Sequence, residues 1–394
     1  MESSTMKVYA DYNATTPLAP AVLDALVEVS RETFGNPSSI HRFGQQAKAV
    51  IDTARSAVAA LVGGDPSEIV FTGGGTEADN FAIRGVAEAL EASGRTHLVT
   101  TAIEHEAVLN TVKALARRGW HTTLVPVERT GTVAASRVAE AVTEKTALVS
   151  VMHANNEIGT IQPVVEIADA AHRLGALVHT DAVQSAGKIP LSVKALGVDL
   201  LSLSAHKFNG PKGVGALWIK RGTRLLPILT GGKHERNRRA GTENVAAIAG
   251  MGGAARLALQ KLDAEGTRLC ALRDRLERGI LGRVSGTVVN GEGAARVPNT
   301  TNVSFAHVEA ESLLIGLDLE GIAVSTGSAC SSGTLEPSHV LKAMGLPAAR
   351  TQGSLRFSFG MFSTDEDVDR ILDVLPQLVE RLRGLTRHAA VGRP

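Results

Sequence analysis

The stretch ALVSVMHANNEIGTIQPVVEIADAAHRLGALVHTDAVQ, residues 147–184, reads as a strand, a helix and a second strand. Its two apolar runs, ALVSVM (147–152) and ALVHT (176–180), are nearly continuous, the pattern of strands covered on both faces. Between them PVVEIADAAHRLG (163–175) has apolar residues at helical spacing, Pro at the first helical position and Gly just past the end. A strand, a crossover helix and another strand make a βα unit of a parallel sheet. That unit predicts an α/β fold, a mostly parallel sheet sandwiched by helices.

Working outward, the same alternation supplies the strand candidates EIVFT (68–72), HLVTT (97–101), DLLSLS (199–204) and GALWI (215–219). After GALWI it stops, and a helical pattern from about Thr242 to Gly282 is expected to bridge two lobes. The expected division is a large domain over 20–255 and a smaller α+β domain formed by 1–19 and 256–394. The latter mixes strands (TTNVSFA, SLRFSFG) with helices, the last opening at Thr364 with Asp367 as a capping-box partner and expected to kink at Pro376.

Composition narrows the function classes. The 394 residues carry 41 Lys+Arg against 40 Asp+Glu, a formal charge of +1, so no global field draws the chain to nucleic acid or anionic lipid. No run reaches the roughly 18 apolar residues of a membrane span, and MESSTMKVYADYNATTP lacks a hydrophobic signal region. A cytoplasmic enzyme is expected. The 2 cysteines, Cys270 and Cys330, are too few for a disulfide framework and lack metal-site spacing, so no metal is expected.

Polar residues follow one strand after another: His105 after HLVTT, His153, Asn155 and Asn156 after ALVSVM, Asp181 and Gln184 after ALVHT, His206 and Lys207 after DLLSLS. In open α/β sheets that carboxyl edge is where ligands bind. After EIVFT comes GGGTEADN (73–80), a Gly-rich turn opening a helix, suited to a phosphate. In SAHKFNGPKG (204–213), Lys207 has the setting of a Schiff-base lysine, and Asp181 can pair with a pyridinium nitrogen. A phosphate cup, such a lysine and such a carboxylate together specify pyridoxal 5'-phosphate.

With those residues on one edge, the chain resembles the cysteine desulfurases of the class V aminotransferase group, fold-type I pyridoxal phosphate enzymes. The likeness runs from DYNATTP (11–17) to SLRFSFG (354–360) through FGNPSS (34–39), IEHEAV (103–108), MHANNEIG (152–159), HTDAVQS (179–185), GGKHERNRRAGT (231–242) and STGSACSSGTLEPSHV (325–340). The resemblance implies that Lys207 bonds the cofactor, Asp181 pairs with its ring nitrogen, His105 stacks on the ring and shuttles protons, and Gln184 meets the 3-hydroxyl. It further implies that Gly75, Thr76, Ser204 and His206 hold the phosphate, and that Thr242 serves the partner subunit's phosphate in a homodimer with shared active sites. Asn155, also a cofactor contact, and Arg356 are implied for the substrate carboxylate. The phosphate turn departs from the family's common SGATESDN at Gly73 and Gly75, and RAGT and HTDA replace RSGT and HVDA.

The cofactor alone leaves several reactions open, and the cysteines choose among them. Cys270, in TRLCALRDRL (267–276), reads as a packed apolar residue. Cys330 lies among Gly and Ser with little to bury it, and the resemblance places a nucleophilic thiol there. The implied reaction converts L-cysteine to L-alanine, with the sulfur held as a Cys330 persulfide and passed to an acceptor protein. Iron–sulfur cluster assembly, tRNA thiolation, DNA sulfur modification and natural-product sulfur insertion are all compatible with such a persulfide. The alternatives are an aminotransferase or a selenocysteine lyase of the same fold, and from other classes a scaffold protein or a nucleic-acid binder. Intact Lys207, Asp181 and His105 argue against the scaffold, and a basic cluster at 233–239 without aromatic platforms argues against nucleic acid. A thiol that must meet both substrate and acceptor needs a moving loop, so either weak order over about 328–335 or a Cys330 well beyond attack distance of the cofactor-bound substrate is expected.

Overall fold

A computed structural model describes residues 7–326 and 338–391, with side chains to 385. In chain order the strands are β1 (Val8–Tyr9), β2 (Ile69–Thr72), β3 (His97–Thr101), β4 (His121–Val125), β5 (Thr146–Ser150), β6 (Leu177–Asp181), β7 (Leu200–Ser204), β8 (Gly215–Ile219), β9 (Thr287–Val289), β10 (Thr300–Phe305), β11 (Ile322–Ala323) and β12 (Ser354–Ser358). Seven form one sheet in the order β2-β8-β7-β6-β5-β3-β4. The unit at 147–184 is there as expected, β5 and β6 pairing in parallel with Val149 opposite Val178. Its helix is Val164–Arg173, slightly shorter than the pattern suggested: Pro163 takes the cap position, and Gly175 ends the turn at φ 71°.

The sheet is parallel except at β8, which runs antiparallel to both β2 and β7. The reason is length. Residues 205–214 are all that join β7 to β8, short of the dozen or so that a parallel crossover needs. The other six strands therefore present their carboxyl ends at a single edge. The strand that the sequence does not announce is β4, HTTLV, whose His121 and Leu124 are exposed at the sheet's rim.

Helices cover both faces. On one, Arg42–Val62 and the first half of Val245–Arg283 pack Ile51, Ala54, Val58, Ile248, Met251 and Ala255 against Leu201, Leu203 and Trp218 of the sheet. On the other, Gly75–Leu90 buries Phe81, Ile83 and Val86 against Leu98, Leu148 and Leu217. The long helix then changes cores. Leu269, Leu272, Leu276 and Ile280 join Val303, Phe305, Leu355 and Phe357 of an antiparallel sheet, β12-β10-β9, and Val368, Leu372 and Leu375 of the last helix.

That last helix, Asp365–Val391, opens with the expected reciprocal cap: Thr364 N donates to Asp367 Oδ2 (2.9 Å) and Asp367 N to Thr364 Oγ1 (3.4 Å). It continues through Pro376, which has no N–H to give the Leu372 carbonyl four residues back. Arg283 Nη1 donates to that carbonyl instead, at 3.0 Å.

Candidate active site

The phosphate turn is built by close approach. Gly215, at the start of β8, lies beside the Gly73–Gly75 turn and the end of β7, and a Cβ there would sit 2.6 Å from both Gly74 C and Leu203 O. Gly74 caps the helix Gly75–Leu90 without a side chain, leaving its N-terminal N–H groups to an open cleft of about 770 Å³ lined by Thr15, Thr76, Ser204, His206 and Lys212. At Gly75 a Cβ would lie 2.9 Å from Val183 Cγ2 and 3.3 Å from Ser204 Cβ. Gly75→Ala should therefore weaken pyridoxal phosphate binding by about tenfold, and the added change Val183→Ala should restore it, read as the dissociation constant by absorbance titration. Equal affinity of Gly75→Ala and the parent protein would contradict this packing.

Lys207 ends the short 3₁₀ turn Ala205–Lys207 that follows β7. Its Nζ donates to the carbonyls of Asn13 (2.6 Å) and Ala14 (2.8 Å). Those carbonyls belong to an N-terminal segment laid over the sheet edge, where Thr16 N donates to His206 O at 3.0 Å. His206 Nδ1 meets Thr15 Oγ1 at 3.1 Å, and burial with Lys207, Lys212 and Lys188 nearby pushes its pKa down to about 4.

Asp181 is the last residue of β6 and is buried, its Oδ1 accepting Val183 N–H at 2.8 Å. Burial raises its pKa, while His105 and Lys207 draw it back down. His105 caps the helix Glu106–Ala116, its Nδ1 accepting Ala107 N–H at 3.1 Å. That bond fixes the neutral ring with its proton on Nε2. Burial favours that neutral form, Lys207 adds to it, and Asp181 opposes it.

Behind Asp181 stands a layer of buried groups that the sequence reading missed. Burial pushes Glu104 up to about 8 although Thr101 Oγ1 (2.5 Å) and Met152 N (2.9 Å) donate to it. Asp79 is raised well above the carboxylate range by burial and by Asp181. His179, held between Ser150 Oγ (2.8 Å) and Ser202 Oγ (2.9 Å), is lowered to about 3 by burial. Burial thus disfavours the charged form of each of these groups.

Gln184 is engaged by protein at both ends of its amide: Nε2 donates to Asn13 O (3.0 Å) and Oε1 accepts from Lys188 Nζ (2.6 Å). Asn155 is fully buried; its Oδ1 accepts from Glu157 N (2.8 Å) and Ile158 N (3.1 Å), and its Nδ2 donates to Ile103 O (3.1 Å) with Met152 Sδ at 3.4 Å. The protein thus engages the Asn155 amide, one Nδ2–H resting only on the weakly accepting Met152 thioether. Arg356, in β12, donates to Asn156 O (2.9 Å) and Asp11 Oδ1 (2.6 Å), and its buried Nε has no partner among the described residues.

Thr242 is exposed. The basic loop before it is anchored rather than freely solvated: Arg55 clamps the buried Glu235 carboxylate (2.7 and 2.8 Å), and Arg239 Nε bonds Glu77 Oε1 (2.8 Å) in the first turn after Gly75. Cys330 and the 328–335 stretch lie outside the described residues. Beyond them, Ser338 Oγ donates to buried Glu157 (2.5 Å), and His339 Nε2 donates to Glu104 O (2.9 Å). Cys270 differs from its expected packing: it is half-buried beside Arg273 Nη2 (3.1 Å) and Asp274 Oδ2 (3.5 Å), and desolvation raises its thiol pKa. A thiol so raised is a weak nucleophile.

Comparison with known proteins supplies the family. The family model for aminotransferase class-V matches residues 8–371. The cysteine desulfurase IscS of Dictyoglomus turgidum is 50% identical over 382 residues, 97% of each chain. That of Methanosarcina thermophila is 48% identical over 379 residues, 96% of this chain and 93% of its own. Among solved structures, a NifS-like protein superposes with a TM-score of 0.90 at 40% identity, over 96% of this chain and all (100%) of its own. Another, described as SspA in complex with cysteine, has a TM-score of 0.81 at 34% identity, over 91% and 100% of the two chains. With its sheet edge, lysine and buried aspartate in place, the chain belongs to the cysteine desulfurases of the class V aminotransferase family.

Proposed function

We infer that this pyridoxal 5'-phosphate-dependent cysteine desulfurase turns L-cysteine into L-alanine through Lys207, Asp181 and Cys330. The observation that carries the division of roles is the meeting, at one sheet edge, of a helix N-terminus without a side-chain cap, a lysine amine and a buried carboxylate. The residues fit the cofactor: Gly75, Thr76, Ser204 and His206 to its phosphate, Asp181 to its ring nitrogen. When bound, pyridoxal phosphate supplies an electron sink for the bonds at the substrate's α-carbon.

Arg356, with an unpartnered Nε among the described residues, is the residue for the substrate carboxylate. Lys207 Nζ takes the α-proton. Cys330 Sγ attacks the substrate sulfur: an S–S bond forms as the carbon–sulfur bond breaks, the electron pair stays with carbon, and a proton completes alanine. No outside oxidant is needed, because the thiol's gain of sulfur balances the carbon's reduction. His105 presents a neutral ring face and an Nε2–H; proton exchange at Nδ1 requires giving up the Ala107 cap. The solved relative in complex with cysteine supports the substrate.

Two copies fit the molecule better than one. Thr242 is exposed, and Phe34 (73%), Ile40 (91%) and Phe43 (52%) form an exposed apolar group, with the two Phe rings 5.3 Å apart. We take the enzyme as a cytoplasmic homodimer with shared sites, its sulfur acceptor a second protein; among the described residues no helix is long and apolar enough to cross a membrane. Incubation with L-cysteine and a thiol reductant should release alanine and sulfide in equal amounts. Amino-group transfer to a 2-oxo acid without sulfide would make the chain an aminotransferase instead.

A further inference from the structure

Lys188 is a buried amine that the roles above leave unused. It lies four residues after Gln184 in a run of turns, is 9% exposed, and donates from Nζ to Asn13 Oδ1 (3.0 Å) and Gln184 Oε1 (2.6 Å). A neutral amine has two N–H groups, and both are placed. Burial, Lys207 and Arg356 all favour that neutral form.

Lys188 and Lys207 share one partner residue, Asn13. Asn13 receives Lys188 on its side chain and Lys207 on its backbone carbonyl, which also accepts Gln184 Nε2 at 3.0 Å. The Asn13 amide is fixed from the other side, Nδ2 donating to Thr300 Oγ1 (2.8 Å) and Asn156 O (3.1 Å) while Asn299 Nδ2 donates to its Oδ1 (3.1 Å). Both lysines line one small cavity of about 50 Å³ beside Phe208, Leu257 and Met361, room for a water or two.

We propose that Lys188 is a positioning residue for Lys207: by holding the Asn13 side chain and the Gln184 amide in register, it keeps the carbonyls of Asn13 and Ala14 as a fixed resting place for the Lys207 amine. Without cofactor the Lys207 amine rests on those carbonyls, so the network sets how readily it leaves them for its work. The proposal rests on Lys207 being the cofactor lysine.

The test compares Lys188→Met, which keeps the stem without N–H groups, with Lys188→Gln, which keeps a donor. In cofactor-free protein, acylation of Lys207 by an amine-reactive reagent, followed by peptide mass spectrometry, should run about tenfold faster in Lys188→Met and near the parent rate in Lys188→Gln. In the loaded enzyme, Lys188→Met should lower kcat by about tenfold with KM for L-cysteine within about threefold, and Lys188→Gln should recover most of it. Parent-like labelling and kcat in Lys188→Met would overturn the proposal. So would equal loss of thermal stability in both variants with equal loss of kcat, which would mark Lys188 as merely structural. Lys207→Ala run in parallel separates the cases: a cofactor bond surviving in that variant defeats the assignment of Lys207, whereas its loss alongside an indifferent Lys188→Met defeats the role of Lys188 alone.

Discussion

Lys207→Ala should yield a folded protein with no borohydride-reducible bond to pyridoxal phosphate, no visible band from such a bond, and a kcat on L-cysteine lowered by about three orders of magnitude or more. The size of the effect follows from the loss of two tasks in one residue, bonding the cofactor and moving the α-proton. Neither neighbouring lysine is placed to substitute. Lys188 is buried with its amine on Asn13 and Gln184, and Lys212 lines the phosphate cleft. The phosphate cup is untouched, so the variant should still retain cofactor non-covalently. A reducible adduct that persists, mapped by peptide mass spectrometry to Lys188 or Lys212, would move the assignment.

Cys330→Ser should separate binding from chemistry. The residues assigned to the substrate and cofactor, Arg356, Asp181 and Lys207, are unchanged, so L-cysteine should still perturb the cofactor's absorbance. A serine hydroxyl is a poor nucleophile toward sulfur, so sulfide release should fall by about a hundredfold or more, with no extra sulfur on the protein. Cys270 should not compensate, because its thiol is held beside Arg273 and Asp274 with a raised pKa. Sulfide at the parent rate would remove Cys330 from the reaction.

The features legible in the sequence were those that recur with a period or a fixed spacing. Six strands of the large sheet stand out because short apolar runs alternate with helical patterns, and the cluster of polar residues at their ends follows from that register. The reversal of β8 is legible only from the length of the connection at 205–214, and β4 escaped because a rim strand needs few apolar residues. Asn13, Asp79 and Glu104 lie inside quoted motifs and Lys188 outside them, yet none shows in sequence that it is a buried polar residue, nor that Asn13 meets Lys188 and Asn299 from far along the chain. Asn155 shows the same difficulty, since its place in a motif does not reveal that backbone groups engage its amide. Our division of the chain near 255 rests on the long helix, which buries Ala255 in one core and next buries Leu269 in the other.

The central claim is that sulfur leaves cysteine onto one particular thiol. Mass spectrometry of the parent protein, mixed with L-cysteine without reductant and alkylated, tests it most directly. The account predicts one added sulfur, about 32 Da, on the peptide containing Cys330 and none on that containing Cys270, with one alanine formed per protein chain. Added sulfur on Cys270, or alanine formed with both thiols unmodified, would contradict it.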